Sequence, residues 1–303
     1  HTTLLGPEIL AFEKEHDEPV QNIPRYEKIL GSDRAMKNAI RKDLENIKRE
    51  FGKPRKTVIA DAQEAAEVKE EIQEQDVVFA MDRFGYVKVC DVAAYEKSGQ
   101  AMEHEYRYLF VCKNTDRILL FTDQGLMHQV KVTDIPFQKW KDKGVPVDNL
   151  SRYDSKKETI LYVTSRGKMA GKRLLFVTCQ GYVKQTESGE FDTANRTVRS
   201  TKLTEGDQLV YVEQAAQGGQ MVLQTETGYF LKFPAEEAEL YKKTAVGVKG
   251  ITLSAGDHVK HVYQLGADDD SAAVLYEGRE LDLRRMKLAS RGQKGTKPRK
   301  GKG

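Results

Sequence analysis

The sequence predicts a mainly β protein, a propeller-like array of about five four-stranded blades preceded by an N-terminal helical segment. Three observations predict it. From Val77 onward the helical period of the first 60 residues gives way to short β-branched and aromatic runs bounded by glycine turns. A unit of strand, glycine turn and strand recurs as VVFAMDRFGYVKV, ILLFTDQGLMHQV, RLLFVTCQGYVKQ, MVLQTETGYFLKF and AAVLYEGRELDL, with Gly85, Gly125, Gly181, Gly228 and Gly278 spaced by 40, 56, 47 and 50 residues. Finally, KLTEGDQLVYV repeats as TLSAGDHVKHV at an offset of 50, carrying Leu203, Gly206, Asp207 and Val212 onto Leu253, Gly256, Asp257 and Val262. Further strand candidates lie between the units (YRYLFVC, TILYVTS, DQLVYVE, HVKHVYQ), so each repeat holds enough strand for a blade, and the period implies radially arranged blades. A β-sandwich with evenly spaced strands is the alternative, and it leaves the 50-residue match unexplained.

The elements come in order. Residues 1–56 read as a helical segment: Ile9 to His16 is helical in pattern, Pro19 and Pro24 interrupt the next stretch, and Ser32 and Asp33 offer a fresh N-cap. Met36, Ile40, Leu44, Ile47 and Phe51 then share one helix face until Gly52 and Pro54 end it. Residues 57–76, with Glu64, Glu67, Glu70, Glu71 and Glu74, read as an exposed acidic connector, and 77–283 as the blades. Residues 284–303 hold nine basic residues and no acid, so the near-neutral total of +3 hides a chain that is otherwise net acidic. A Gly, Pro and Lys-rich tail cannot bury enough apolar surface to fold alone; it reads as a disordered arm for a polyanion, or as a solubilising tail.

Composition narrows the function. No apolar run approaches the ~18 residues of a membrane span and no secretory leader is visible, so a cytoplasmic, nucleoid-associated protein with no membrane contact is expected. Cys90, Cys112 and Cys179 lie far apart in apolar runs and read as buried free thiols. GKMAGKR at Gly167 to Arg173 is one residue short of a phosphate-binding loop and ends in Arg where Ser or Thr must hold Mg²⁺; a basic hairpin turn is the expectation. His258 and His261 point to opposite faces of a strand and make poor joint ligands. No catalytic, cofactor-binding or metal-binding constellation is expected in this chain.

The residues carry a resemblance. Tyr26 to Ile59, including Phe51, Gly52, Arg55, Lys56 and Thr57, resembles the helix at the base of the coiled-coil arm of bacterial type IIA topoisomerase A subunits and the basic sequence after it. GYVKV, GYVKQ, GYFLKF and AVGVKGITLSAGDHV are similar to the blade motifs of the same subunit's C-terminal DNA-wrapping β-pinwheel. The resemblance implies a fragment whose catalytic tyrosine lies upstream of His1. It also implies two partners, double-stranded DNA and the topoisomerase B subunit, with ATP and Mg²⁺ required only through the cleavage core and that B subunit. Gyrase A subunits carry a Gln-Arg-Arg-Gly-Gly-Lys-Gly box after the first blade strands. Ser98 to Tyr106 here (SGQAMEHEY) has no basic residue, which favours a topoisomerase IV-like member that bends and orients duplex over a gyrase-like one that wraps it chirally. Five units instead of the six expected of gyrase point the same way; a partial echo of the box, SRGQKG at Ser290 to Gly295, reads either as a displaced box or as tail composition. A protein-interaction propeller with a basic tail is the alternative from another class.

Bending DNA costs on the order of 1–6 kcal/mol, so a curved row of fixed cations is needed. The candidates are the Arg166, Lys168, Lys172 and Arg173 hairpin; Lys139, Lys141 and Lys143 around Trp140; Lys249; the tail residues Arg284, Arg285, Arg291 and Lys294; and Lys88, Lys184 and Lys232, which recur just after the turn glycine at a position expected to face outward. Trp140 is expected to pack beneath its loop. Such contacts read charge and shape without a base code.

Overall fold

A computed structural model describes residues 19–20, 22–52, 73–98, 103–267 and 272–298. The chain divides into two units, residues 1–71 and 72–303. In the first, residues 22–30 are helical around Pro24, Gly31 makes a turn, and α1 (Asp33–Phe51) comes next. The Ser32 hydroxyl accepts from the Ala35 N–H at its N-terminus, and Lys48 and Arg49 complement the C-terminal carbonyls. Its stripe of Ile40, Leu44, Ile47 and Phe51 is more than half exposed within this unit. The 9–16 helical stretch, Arg55 to Thr57 and most of the acidic connector lie outside the described residues.

The second unit is built from hairpins. β1 (Asp76–Asp82) and β2 (Tyr86–Cys90), β4 (Arg117–Thr122) and β5 (Leu126–Lys131), β8 (Arg173–Thr178) and β9 (Tyr182–Glu187), β12 (Gln220–Thr225) and β13 (Phe230–Pro234), and β16 (Ala273–Tyr276) and β17 (Arg279–Asp282) each pair antiparallel across one of the five turn glycines. Those glycines all take φ between +67° and +88°, a region in which a side chain would be strained. A third strand adds beside the first strand of each of the first four hairpins: β3 (Tyr106–Lys113), β7 (Ile160–Ser165), β11 (Leu209–Gln214) and β15 (Val259–Leu265).

The fourth strand comes from the next repeat. After β5 the chain returns to the preceding blade, where β6 (Val145–Pro146) pairs with β2; β10 (Thr197–Arg199) likewise pairs with β5 and β14 (Val248–Lys249) with β9. Blade four has three strands and receives its return segment as bridges from Leu288 to Lys232 and from Thr296 to Phe230. Blade five is the two-stranded β16–β17 sheet. The expectation of five four-stranded blades therefore holds for three, because each blade is completed by its successor. In the first repeat, the position of a return segment is taken by α2 (Val92–Ser98) and a 3₁₀ turn at Glu103–Glu105.

Two sequence expectations change here. Residues 284–298 are not a free arm: Thr252 N–H donates to Gln293 O at 2.9 Å, Ala289 N–H to Lys232 O at 2.8 Å, and Phe230 and Thr296 exchange two backbone bonds at 2.9 Å. The tail needs no core of its own because it borrows that of blade four. The Arg166–Arg173 stretch is not a hairpin turn either. Its strands β7 and β8 belong to different blades, and it contains α3 (Arg166–Met169), whose leading Gly167 N–H is held by the Asp116 carboxylate at 3.0 and 3.1 Å.

Apolar cores lie between successive blades. Ile118 and Leu120 pack towards Phe79 and Met81 of blade one, while Leu119 and Phe121 of the same strand pack towards Leu174 and Phe176 of blade three. A central strand covered on both faces must be apolar at every position, which explains the uninterrupted ILLF, LLFV and MVL runs. Third strands bond along the row: Tyr108 Oη donates to Leu161 O at 3.0 Å, and Gln264 Nε2 donates to Gln214 O at 2.9 Å. They line one edge of the row of blades, leaving the return strands at the opposite edge of each sheet.

Candidate nucleic-acid interface

The return segments carry the charge. Gly144, Gly247 and Gly295 adopt φ of +84°, +99° and +78°, and a Cβ on any of them would collide with the carbonyl oxygen of Val87, Val183 or Phe230 on the neighbouring strand. These glycines let the return strand lie flat against the preceding blade. Two residues later stand Pro146, Lys249 and Lys297. Pro146 pairs with Tyr86, Lys249 with Tyr182, and in blade two Arg199 pairs with Leu126, so each marks the residue just after a turn glycine. Arg199, Lys249 and Lys297 are exposed, and none forms an ion pair among the described residues. Three residues upstream, Lys143, Arg196 and Lys294 are exposed as well. The Lys143 ammonium sits 4.2 Å from the Tyr86 ring centre, and Lys294 and Lys297 both lie 4.9 Å from that of Tyr229. Every return segment thus carries at least one exposed cation, either opposite the residue after the turn glycine (Arg199, Lys249, Lys297) or three residues before that position (Lys143, Arg196, Lys294).

The candidates named from sequence divide by environment. Lys139, Lys141, Lys143, Lys168, Lys172, Lys249 and Lys294 are exposed. Arg173 and Arg285 are exposed but pair with Glu187 at 2.9 Å and Asp282 at 3.3 Å. Arg166 bonds Asp192 at 2.7 Å and Thr193 O at 2.7 Å; Arg284 donates to Gly266 O at 2.6 Å; Arg291 donates to Lys249 O at 2.9 Å and pairs with Glu239 at 3.4 Å. Those three guanidinium groups tie one segment of the fold to another.

Lys88, Lys184 and Lys232 do not face outward; they are 2%, 0% and 5% exposed. Each ammonium is turned onto backbone carbonyls of the return segment. Lys88 Nζ donates to Trp140 O at 2.5 Å and Asp142 O at 2.7 Å, Lys184 Nζ to Lys242 O and Ala245 O at 3.0 Å and Ser200 O at 3.2 Å, and Lys232 Nζ to Arg284 O at 2.6 Å. His128 holds the equivalent place in blade two, bonded to Thr197 Oγ1 at 2.8 Å and Glu158 at 2.9 Å. The recurrence read as a phosphate-binding row is a row of latches, because a short return strand supplies too few ladder bonds to hold itself. Burial pushes the Lys184 ammonium down to about 7, and burial together with the Arg284 charge lowers Lys232.

Arg196 and Arg199 were missed by sequence reasoning, and Lys297 was counted only as part of the basic tail. The available signal was Gly-x-Lys at 247–249 and 295–297, but without knowing the strand exchange its periodicity has no structural meaning. Trp140 packs as expected: it is 6% exposed and stacks on Tyr106 at 5.3 Å. Cys90 and Cys112 are buried free thiols, Cys179 is half-buried, and burial pushes Cys112 up to about 12. Among the described residues no cluster of three or more metal-ligating side chains occurs, and no helix is long and apolar enough to cross a membrane.

Strand exchange between blades with cations on the exchanged edge defines a β-pinwheel. A family model described as "DNA gyrase C-terminal domain, beta-propeller" matches residues 116–155, 172–216 and 220–265, one hairpin and its neighbouring strands at a time. The chain is 30% identical over 309 residues to the A subunit of DNA gyrase from Lawsonia intracellularis, covering 96% of this chain and 38% of that protein. It is 28% identical to the A subunit of DNA gyrase from Helicobacter pylori strain J99, covering 97% and 37%. It therefore spans little more than a third of those relatives. A crystal structure of the C-terminal domain of DNA topoisomerase IV superposes with a TM-score of 0.66 at 25% identity, covering 74% of this chain and 73% of that one. The DNA gyrase A C-terminal domain superposes with a TM-score of 0.51 at 16% identity, covering 73% and 76%, a likeness of fold. The chain belongs to the type IIA topoisomerase A-subunit family and carries its C-terminal β-pinwheel.

Proposed function

We propose that this chain is the duplex-binding and duplex-bending module of a type IIA topoisomerase A subunit, positioning a DNA segment for ATP-dependent strand passage. The observation that carries it is that every return segment bears exposed cations, Lys143, Arg196 and Arg199, Lys249, and Lys294 and Lys297, on segments held to the preceding blade by backbone pairing. Cations held on a rigid frame neutralise phosphates without a base code and can repay the bending cost that one flexible tail cannot. Catalysis is assigned to the cleavage core and B subunit of the full enzyme, which would supply Mg²⁺ and ATP turnover, and the site of action is the cytoplasmic nucleoid.

A topoisomerase IV-like role is favoured by the absence of basic residues between Ser98 and Tyr106. Chiral wrapping is the second reading, favoured by the gyrase names of the sequence relatives. Nicked circular DNA ligated in the presence of increasing amounts of the protein separates them. Bound DNA with an unshifted topoisomer distribution supports bending and orientation, a shift in linking number supports wrapping, and no binding at low salt refutes both.

A further inference from the structure

Blade one differs from its neighbours at the hairpin tip. The residue before the turn glycine is Gln124, Gln180, Thr227 or Glu277 in the other hairpins and Phe84 here. In blades three and four that residue is used within the fold: Gln180 Nε2 donates to Glu205 O at 3.0 Å, and Thr227 Oγ1 donates to Asp257 at 2.6 Å. Blade one has no matching Gly-Asp turn, and Phe84 is left 72% exposed. Its backbone is nevertheless held firmly. The Asp82 carboxylate accepts from the Phe84 N–H at 2.8 Å and the Tyr86 N–H at 2.9 Å.

Three cations gather around Phe84. The Arg83 guanidinium lies 4.8 Å from the Phe84 ring centre, and both line a cleft of about 510 Å³ with Tyr106, Lys141 and Lys143. Glu105 also lines it, and the other two acids on its wall are engaged with backbone: Asp82 as above, and Asp142 with Lys139 N–H at 3.0 Å. Lys143 is one of the return-segment cations, and it lines the same cleft as the exposed ring.

We propose that Phe84 is an apolar wedge that inserts between base pairs of bound duplex, with Arg83, Lys141 and Lys143 taking the flanking phosphates. An aromatic ring on a braced tip can replace base stacking where a step opens, and kinks of this kind concentrate a bend that smooth contacts would have to distribute. The contact makes blade one the fixed point of the bend, and it favours steps that unstack readily, such as TA, or sites already interrupted by a gap. This inference rests on the DNA-binding reading above.

Two variants test it on a 40-base-pair duplex and on the same duplex with a central two-nucleotide gap. The unaltered protein should bind the gapped duplex about tenfold more tightly, since the gap removes the unstacking cost, and Phe84→Ala should bind both alike. Phe84→Trp adds a reporter to Trp140, which is buried but borders the same cleft, so its signal is read as the difference from the unaltered protein. That difference emission should fall by about half at saturation with duplex. A retained tenfold preference in Phe84→Ala, or unquenched Phe84→Trp with duplex bound, overturns the wedge and leaves the binding module standing. Failure of the unaltered protein to bind either duplex at low salt overturns the binding reading itself.

Discussion

Replacing Lys184 by Met isolates the latch that holds one blade to the next. The ammonium is fully buried and faces three carbonyls of the segments at Ser200, Lys242 and Ala245, with no carboxylate bonded to it. Burial holds it at about 7, against 10.5 in the open chain. Between those values the unfolded chain carries a proton that the folded one has released, so stability rises as pH rises through the window. The full window corresponds to about 5 kcal/mol, of which about 2 kcal/mol falls between about pH 6.5 and pH 8.5. For a domain of this size that is a gain of about 4–8 °C in Tm. Lys184→Met fits the same volume but has nothing to titrate, so its Tm should lack this rise. Less than half of the burial cost is relieved by about pH 8.5, so the stability of the unaltered protein relative to the variant should improve by about 2 kcal/mol between about pH 6.5 and pH 8.5. The assay is differential scanning fluorimetry of both proteins across that pH range. Parallel Tm profiles would refute the assignment of a depressed, charge-bearing latch.

Other consequences concern the strand exchange. Gly247→Ala should lower the denaturant midpoint by an amount worth about 1–3 kcal/mol or more, since φ is +99° and its Cβ meets the Val183 carbonyl; the same change at Gly189, which has open space around it, is the control. Asp257→Ala removes the carboxylate that accepts from Thr227 N–H at 3.0 Å, Thr227 Oγ1 at 2.6 Å and His258 N–H at 2.9 Å, and should cost about 1–3 kcal/mol by urea titration. Burial alone would raise the Asp257 carboxyl, but these bonds, with that from Thr225, hold it below its open-chain value of 3.8. Its stabilisation is present above that value and lost as pH falls through the lower folded one, so the variant should show a shallower acid limb.

The repeats were legible in sequence because each hairpin needs a glycine at its turn and each central strand, buried on both faces, needs an apolar run. The matched Gly-Asp pairs at 206–207 and 256–257 were legible too, and the structure gives their reason. Asp207 accepts from the Gln180 N–H at 2.9 Å and Asp257 from the Thr227 N–H at 3.0 Å, each bracing the hairpin tip of its own blade. What composition could not convey was the exchange. A two-residue strand such as β14 has no alternation to read, and its paired residues in β9, Val183 and Tyr182, lie far upstream of Val248 and Lys249. For the same reason Lys88, Lys184 and Lys232 looked like surface cations: a recurring lysine beside a turn has the same spacing whether its head reaches solvent or a neighbour's carbonyls. The tail read as disordered because its own residues are polar, although Leu288 and Thr296 complete blade four.

The central claim is that cations on the exchanged strands hold duplex DNA. Reversing three of them together, Arg199→Glu, Lys249→Glu and Lys297→Glu, alters exposed side chains outside the latches and cores. Duplex affinity measured across a salt series by fluorescence anisotropy tests it most directly. Each phosphate contact contributes about 0.9 to the log–log slope on B-DNA, so the variant's slope should be shallower by about 2.7, with an unchanged thermal midpoint. A slope equal to that of the unaltered protein would contradict the account.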